Sequence, residues 1–291
     1  MSASPRSVPD WLAALILRAH WEDESPPFSD QSLVDYRMGA RELVHLGEVA
    51  AALVAAVDAE FVVDPDARGQ GFGTRLLERL LAGGSTRFWA HGDAPAARAL
   101  ARSHGLTAVR ELLHLSGEVP PGAAAPIPDR FVVGVDEAEW VALNAKIFAH
   151  HPEQGSVSRA DVEQLETEPW FHADNFLVLR EDGRMIGYCW LKVDDDRGEF
   201  YVVGVEPDHH GQGLGSLLFD AGLARLRQLG ITDAHLYVEG DNRDALRLYR
   251  SRGFAQDSID IQYAALPIQE PAGELSTAVT SAPPSTPPSP E

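Results

Sequence analysis

Two glycine-rich turns carry the first chemical signal in this chain. VVDPDARGQGFGTRLL, from Val62 to Leu77, and GVEPDHHGQGLGSLLF, from Gly204 to Phe219, each place a proline four residues ahead of a Gly-Gln-Gly-x-Gly run. Each turn follows a β-branched stretch and opens a leucine-rich helical pattern. A strand, a glycine turn and a helix form a device for holding phosphate, because free backbone N–H groups converge on the anion and the helix dipole adds favourable potential. The spacing excludes two common versions of that device. The sixth position is Thr74 or Ser216 where a dinucleotide fingerprint needs a small third glycine, and no Gly-Lys-Ser/Thr follows as a nucleoside-triphosphate loop requires.

The elements that must position these turns repeat as well. In the second half, Phe131–Val135 reads as a strand, Asp136 caps a helix running to about His150, and another helix starts at Ser158. FLVLRE and RMIGYCWLKV flank Asp182-Gly183, a hairpin signal, and EFYVVGVEP leads into the turn. After the turn come a helix, the strand AHLYVE, the helix NRDALRLYRSRGF and a closing strand around Ile259–Tyr263. The first half shows a shortened form: RELVHL, AALVAAV and AEFVVDP as strands, TRLLERLLAG as helix, RFWAH as strand. Gly69 and Gly211 give an offset of 142 (211 − 69), and Gly105 and Gly253 give 148 (253 − 105). The order predicts an α+β chain of two tandem units, each with a mixed, mainly antiparallel sheet flanked by helices.

Composition bounds the rest. The 291 residues, 44% hydrophobic, suffice for two domains with cores of their own. Residues 1–118 are expected as the first domain, 119–129 (rich in Pro and Ala) as a linker, 130–268 as the second domain and 269–291 (rich in Pro, Ser and Thr) as a disordered tail. Twenty-four basic against 44 acidic residues give a net charge of −20, which disfavours nucleic acid and anionic membrane surfaces as partners. The single cysteine, Cys189, reads as a buried strand residue in a reducing, cytoplasmic setting. Trp11–Ala19 reads as a packed helix, and no run is long and apolar enough for a membrane span. His150 and His151 have no third ligand at metal spacing, so no metal is expected.

The turns resemble the pyrophosphate signature of the GCN5-related N-acetyltransferases, Arg/Gln-x-x-Gly-x-Gly/Ala. Arg68-Gly69-Gln70-Gly71-Phe72-Gly73 matches it fully, and His210-Gly211-Gln212-Gly213-Leu214-Gly215 matches it with histidine first. Within that family, the tandem arrangement and the strings HPEQG, GEFYVVGVEP, LYVEGDN and FWAHG resemble a branch that acetylates the cysteinyl amine of a cysteine, glucosamine and inositol conjugate from acetyl-CoA. The resemblance implies that the turn amides from Gly211 to Ser216 hold coenzyme A pyrophosphate, that Val203, Gly204 and Val205 pair with the pantetheine arm, and that Asn242, Arg243, Asp244, Ala245, Leu246 and Arg247 complete the cofactor site. Phe61, Val62 and Val63, with Gly69 to Thr74, are the first half's counterparts.

Acetyl transfer to an ammonium needs a base for the amine and an acid for the departing thiolate. The resemblance carries the base onto Glu199 and the acid onto Tyr249, and carries substrate contacts onto Asp30, Glu153, Lys192, Glu199 and Tyr237. At the 148 offset Tyr249 corresponds to Ala101 and Asn242 to Ala94, so the second half is expected to catalyse and the first to bind acetyl-CoA silently or brace its neighbour. A monomer is expected, the two halves pairing within one chain. Two alternatives stay open on the residues alone: a tandem acetyltransferase for a peptide or aminoglycoside amine, and a noncatalytic acetyl-CoA sensor.

Overall fold

The computed structural model describes residues 6–121, 128–149, 154–194 and 196–265, apart from the side chain of Asp30. His150, His151, Glu153, most of the expected linker and the 269–291 tail lie outside the described residues. In the first half, helices α1 (Asp10–Asp23) and α2 (Asp30–Met38) precede strands β1 (Glu42–His45), β2 (Ala50–Ala55) and β3 (Asp58–Val63). Then come α3 (Phe72–Ala82), β4 (Arg87–His91), α4 (Pro95–Ser103) and β5 (Thr107–Glu118). The second half runs β6 (Asp129–Arg130), α5 (Glu137–Ile147), α6 (Arg159–Leu165), β7 (Phe176–Glu181), β8 (Arg184–Asp194) and β9 (Arg197–Val205). It closes with α7 (Leu214–Gln228), β10 (Asp233–Glu239), α8 (Arg243–Ser251) and β11 (Ala255–Ala264).

Local chemistry accounts for most boundaries. Asp182 and Gly183 both take positive φ, the conformation of a tight hairpin turn between β7 and β8. Ser158 and Asp161 form a reciprocal capping box at the start of α6. The Ala-rich β2 is covered on both faces: Ala51 and Leu53 meet α1 and α2, whereas Ala50 and Ala52 meet α3. The expected strand at Phe131–Val135 is absent. Strand pairing stops at Arg130, Gly134 adopts φ +81°, and Asp136 accepts the Val132 N–H, so the segment turns instead. The helix predicted to reach about His150 ends at Ile147. No helix among the described residues is long and apolar enough to cross a membrane.

All strands join one sheet in the order β1-β2-β3-β4-β11-β5-β10-β9-β8-β7-β6. The last strand of each half has crossed to the other: β5 pairs with β10, β11 pairs with β4, and β5 and β11 pair antiparallel with each other between them. The sheet therefore does not divide at residues 119–129. Helices cover both faces. On one, α1 and α2 pack over the first half and α5 and α6 over the second. On the other, α3 packs over β2, α4 over β11 through Ala101, and α7 and α8 over a core that includes Leu113 and Leu115 of the crossed β5.

A buried ionic triad ties this exchange down. His91 of β4 lies 3.2 Å from Glu60 of β3 and 3.0 Å from Asp260 of the crossed β11. Glu60 also accepts hydrogen bonds from the Ser29 N–H and from the Ser29 and Ser32 hydroxyls. Burial opposes both charges, but the His91 contacts hold the Glu60 carboxyl down at about 2, and the Asp260 and Glu60 contacts hold His91 up at about 9. The raised histidine contributes stability in full below its ordinary 6.5, lost as pH rises toward 9. The depressed carboxylate contributes in full above its ordinary 4.5, lost as pH falls toward 2. Thermal unfolding midpoints should therefore be highest between these ordinary values and fall on the alkaline side. His91→Gln should cost about 3–5 kcal/mol at pH 6 and flatten the alkaline fall, whereas an equal fall in both proteins would remove the triad from the account.

Candidate active site

The strand that leads into the second glycine turn opens a fork. β9 and β10 pair in parallel from Arg197/Asp233 to Phe200/Leu236 and then part, although β9 continues to Val205 and β10 to Glu239. Beyond Phe200 the β10-facing edge of β9 has no strand partner, which leaves Val203, Gly204 and Val205 with backbone groups that an extended ligand can pair with. A bulge helps to open the fork: opposite β8 the register jumps from Val202/Trp190 to Phe200/Leu191, so Tyr201 is an extra residue. Phe200 points into the α7–α8 core, while Tyr201 and Val202 both face the α5–α6 side.

The turn itself is built for backbone donation. Gly211 (φ +79°) and Gly213 (φ +78°) adopt conformations that side chains rarely tolerate. α7 starts at Leu214 with no side-chain cap, which leaves its first-turn amides, at Leu214, Gly215 and Ser216, open toward an anion. The histidine substituted into the signature does structural work: a His210 ring nitrogen lies 2.9 Å from the Val205 carbonyl, as Arg68 donates to Val63 in the first copy. At the head of α8, Asn242 caps the Ala245 N–H, and Arg243, Asp244 and Arg247 are exposed. The Leu246 side chain is buried in the core, so only its backbone can serve a cofactor. Gln212 is exposed beside the turn.

Glu199 sits where the fork begins. In-register pairing sets Lys192, Glu199 and His235 side by side on one face of β8, β9 and β10. Lys192 Nζ and His235 Nε2 each lie 3.8 Å from Glu199 Oε2. Burial raises the Glu199 carboxyl above its ordinary value and Lys192 partly offsets this. Lys192 also lies over the Trp170 ring, 5.6 Å from its centre. On the same face, Tyr237 of β10 stands opposite His114 of β5, with ring centres 4.9 Å apart, and is 52% exposed. Continuing across the sheet, Arg110 pairs with Glu239 at 2.6 Å, and Asp260 reaches His91. A polar floor thus runs between the α5–α6 pair and the α1–α2 pair.

Tyr249 lies on the opposite face. It is 8% exposed, packs against Phe219 at 4.9 Å between ring centres, and its hydroxyl makes no hydrogen bond among the described residues. Burial, with Cys189 nearby, pushes its phenol well above the ordinary range, so it keeps its proton. The fork is what connects the two sides: Glu199 faces the polar floor, Tyr249 the helical face from which the glycine turn springs.

The first half keeps the backbone device and has alanine where the second half has Tyr249. β3 and β4 pair only from Asp58/Arg87 to Glu60/Trp89, β2 and β3 show no bulge, and Gly69 and Gly71 take φ +73° and +80°. α3 likewise starts without a side-chain cap, and Phe72, Gly73 and Thr74 sit in its first turn. A cavity of about 460 Å³ opens there, walled by Phe61, Val62, Val63, the turn, Ala94 and Ala101 and closed on one side by Tyr263 of the crossed β11. α4 and α8 start one residue after Ala94 and Asn242, so Ala101 occupies the helical position of Tyr249. The smaller side chain leaves room where Tyr249 fills it. Arg68 makes two 2.7 Å bonds to Asp23.

Of the expected substrate contacts, Lys192, Glu199 and Tyr237 share the polar floor, while Glu153 and the Asp30 side chain lie outside the described residues. The floor also holds residues that the sequence does not single out, His235 and His114 among them. The His235 signal was present, as an ionisable residue within AHLYVE; His114 carried none, because only the strand exchange brings it there.

Comparison with known proteins agrees with this geometry. The acetyltransferase (GNAT) family profile matches residues 19–106 and again 144–254. The chain is 40% identical to a mycothiol acetyltransferase of Clavibacter sepedonicus over 87% of its own length and 90% of that protein. It is also 40% identical to a mycothiol acetyltransferase of Sanguibacter keddieii over 91% and 96%. Among solved structures, a GCN5-related N-acetyltransferase from Sphaerobacter thermophilus superposes with a TM-score of 0.66 at 20% identity, covering 89% of this chain and 96% of that one. A tandem GNAT protein from the clavulanic acid biosynthesis pathway superposes with 0.62 at 17% identity, covering 90% and 97%. With a forked sheet and glycine turn in each half, and relatives matched along nearly its whole length, the chain belongs to the GNAT acetyltransferases, in the tandem branch of the mycothiol acetyltransferases.

Proposed function

We propose that the chain transfers acetyl from acetyl-CoA to the cysteinyl amine of a cysteine, glucosamine and inositol conjugate, giving mycothiol and coenzyme A, and that the second half alone performs the chemistry. The observation that carries this reading is the placement of Glu199. It stands desolvated at the mouth of a fork, on a polar floor suited to a polyol sugar, with the phenol of Tyr249 on the cofactor side. A cysteinyl α-amine has a reference pKa of about 7.7–8.0, so a carboxylate of raised pKa is base enough, directly or through one water. Lys192 and Tyr237, with Asp30 and Glu153, would orient the sugar and inositol hydroxyls across the gap between the halves.

Acetyl-CoA would enter along the free edge of β9, with its pyrophosphate on the amides from Gly211 to Ser216 and its adenosine end beside Asn242 to Arg247. The amine attacks the thioester carbonyl, Glu199 takes a proton from the nitrogen, and Tyr249 protonates the departing thiolate. The first-half cavity would hold a second acetyl-CoA that has no acid opposite its sulfur, Ala101 standing where the phenol is needed. Arg68 is engaged with Asp23, but the amides of that turn remain.

Mass spectrometry of the cysteinyl conjugate after incubation with acetyl-CoA should show one added acetyl group and matching coenzyme A release. Acetylation of a peptide or aminoglycoside amine in preference to it would overturn the substrate assignment. Tyr249→Phe should lower kcat by about 10²–10⁴-fold, while Ala101→Gly leaves it unchanged; an intact Tyr249→Phe enzyme would remove the acid.

The acid limb of kcat should reflect Glu199, whose working form is the carboxylate, so activity falls as pH drops through its raised pKa. Lys192 lowers that pKa, and Lys192→Met should move the limb to higher pH at saturating substrate. A limb that stays in place would separate Glu199 from the rate.

A further inference from the structure

Proton balance raises a question that the base and acid leave open. An ammonium and acetyl-CoA give an amide, coenzyme A thiol and one proton. One N–C bond forms and the C–S bond breaks. Of the two N–H protons lost, one offsets the proton that Tyr249 hands to sulfur. The other, taken by Glu199, must reach solvent before the next turnover, yet Glu199 is largely buried.

Two nitrogen groups lie within 4 Å of its carboxylate. A lysine side chain offers donors and no acceptor, so Lys192 can balance the charge of Glu199 but cannot accept from it. His235 can. Its ring centre lies 5.4 Å from that of His114, a separation that one bridging water spans. His114 Nδ1 in turn lies 3.4 Å from Asp257, whose side chain is 47% exposed. The four groups form a file from the site to solvent, running from β9 through β10 and the crossed β5 to β11.

We propose that His235, together with His114 of the exchanged strand, forms the proton outlet of Glu199. The proposal rests on Glu199 as the base. In each passage, relayed by bridging water where two groups stand farther apart than a hydrogen bond, the carboxylic O–H of Glu199 breaks as an N–H forms on His235, His235 gives a proton to His114, and His114 gives one to Asp257 and water, so one proton enters and one leaves. Burial, with the charges of His114, Arg197 and Lys192 that face it, holds His235 down at about 4 against a hydrogen bond with the Gly198 backbone. His114 is also lowered by burial, against the pull of Asp257 and Asp260. Both rings are therefore neutral at physiological pH, each with one nitrogen to accept and one to donate. Tyr237, packed against His114, walls the file.

The outlet couples the halves: the second half's chemistry uses a histidine from the first half's last strand. It makes His114 and His235 relay positions that act through Glu199 and need not touch the substrate.

The test compares His235→Gln, His114→Gln and Glu199→Gln in the full chain, with acetyl-CoA and the cysteinyl conjugate. Glutamine keeps a hydrogen-bonding group but cannot take up a proton and pass one on. Either histidine variant should lose about 10–100-fold in kcat with KM changed less than about threefold, and added imidazole should restore kcat in proportion to its concentration. Wild type should ignore the imidazole. A kcat within about twofold of wild type in both variants, or a loss that imidazole never restores, overturns the outlet. Should one variant fail to fold, the imidazole dependence of the other decides. Glu199→Gln separates the two readings: if it still turns over, the base assignment fails, whereas if it is dead with and without imidazole and the histidine variants are normal, only the outlet fails.

Discussion

The crossing of β5 and β11 is the constraint on which the rest of this molecule depends. A strand edge left unpaired exposes a row of backbone donors and acceptors, and an open sheet must cover or close such edges. Each half ends at an edge, β4 in one and β10 in the other, and each edge is closed by the last strand of the opposite half. The two crossed strands then pair with each other along nearly their whole length. The result is a continuous sheet whose middle belongs to both halves, and the hydrophobic core under α8 is completed by Leu113 and Leu115 from the first half.

That exchange also creates the floor between the helix pairs. The helix-covered flanks of the sheet are apolar on both faces, whereas the middle, left uncovered on the α1–α2 and α5–α6 side, carries His114, His235, Tyr237, Arg110 and Glu239. Polar side chains survive there because they have water or one another as partners. At the first-half end of the same floor, where α2 closes over it, the charges are paired off as Glu60, His91 and Asp260.

The two copies diverged in a way that backbone and side-chain chemistry explain separately. Anion holding needs positive-φ glycines and uncapped helix amides, and both turns keep them. Proton transfer needs particular side chains in particular places, and only the second half combines a bulge before its fork with a phenol on its following helix. Ala101 in place of Tyr249 turns a filled site into a cavity. A main-chain function tolerates sequence drift that a side-chain function does not.

Local signals were legible without the structure. The turns, the Asp182-Gly183 hairpin, the helix that carries Tyr249 and the offset that sets it against Ala101 all follow from glycine conformation, periodicity and repeat spacing. The Phe131–Val135 segment misled because β-branched residues favour strands only where an edge is there to pair with, and none was. What the sequence by itself determined is the pair of glycine turns and which copy holds a tyrosine on its following helix. Only the tertiary structure decided that the halves trade their last strands, that Glu199 shares a desolvated face with Lys192 and His235, and that His114 joins a site in the other half. Strand pairing across more than a hundred residues leaves no periodic mark in the chain, because a strand's side-chain alternation is the same whichever neighbour it pairs with.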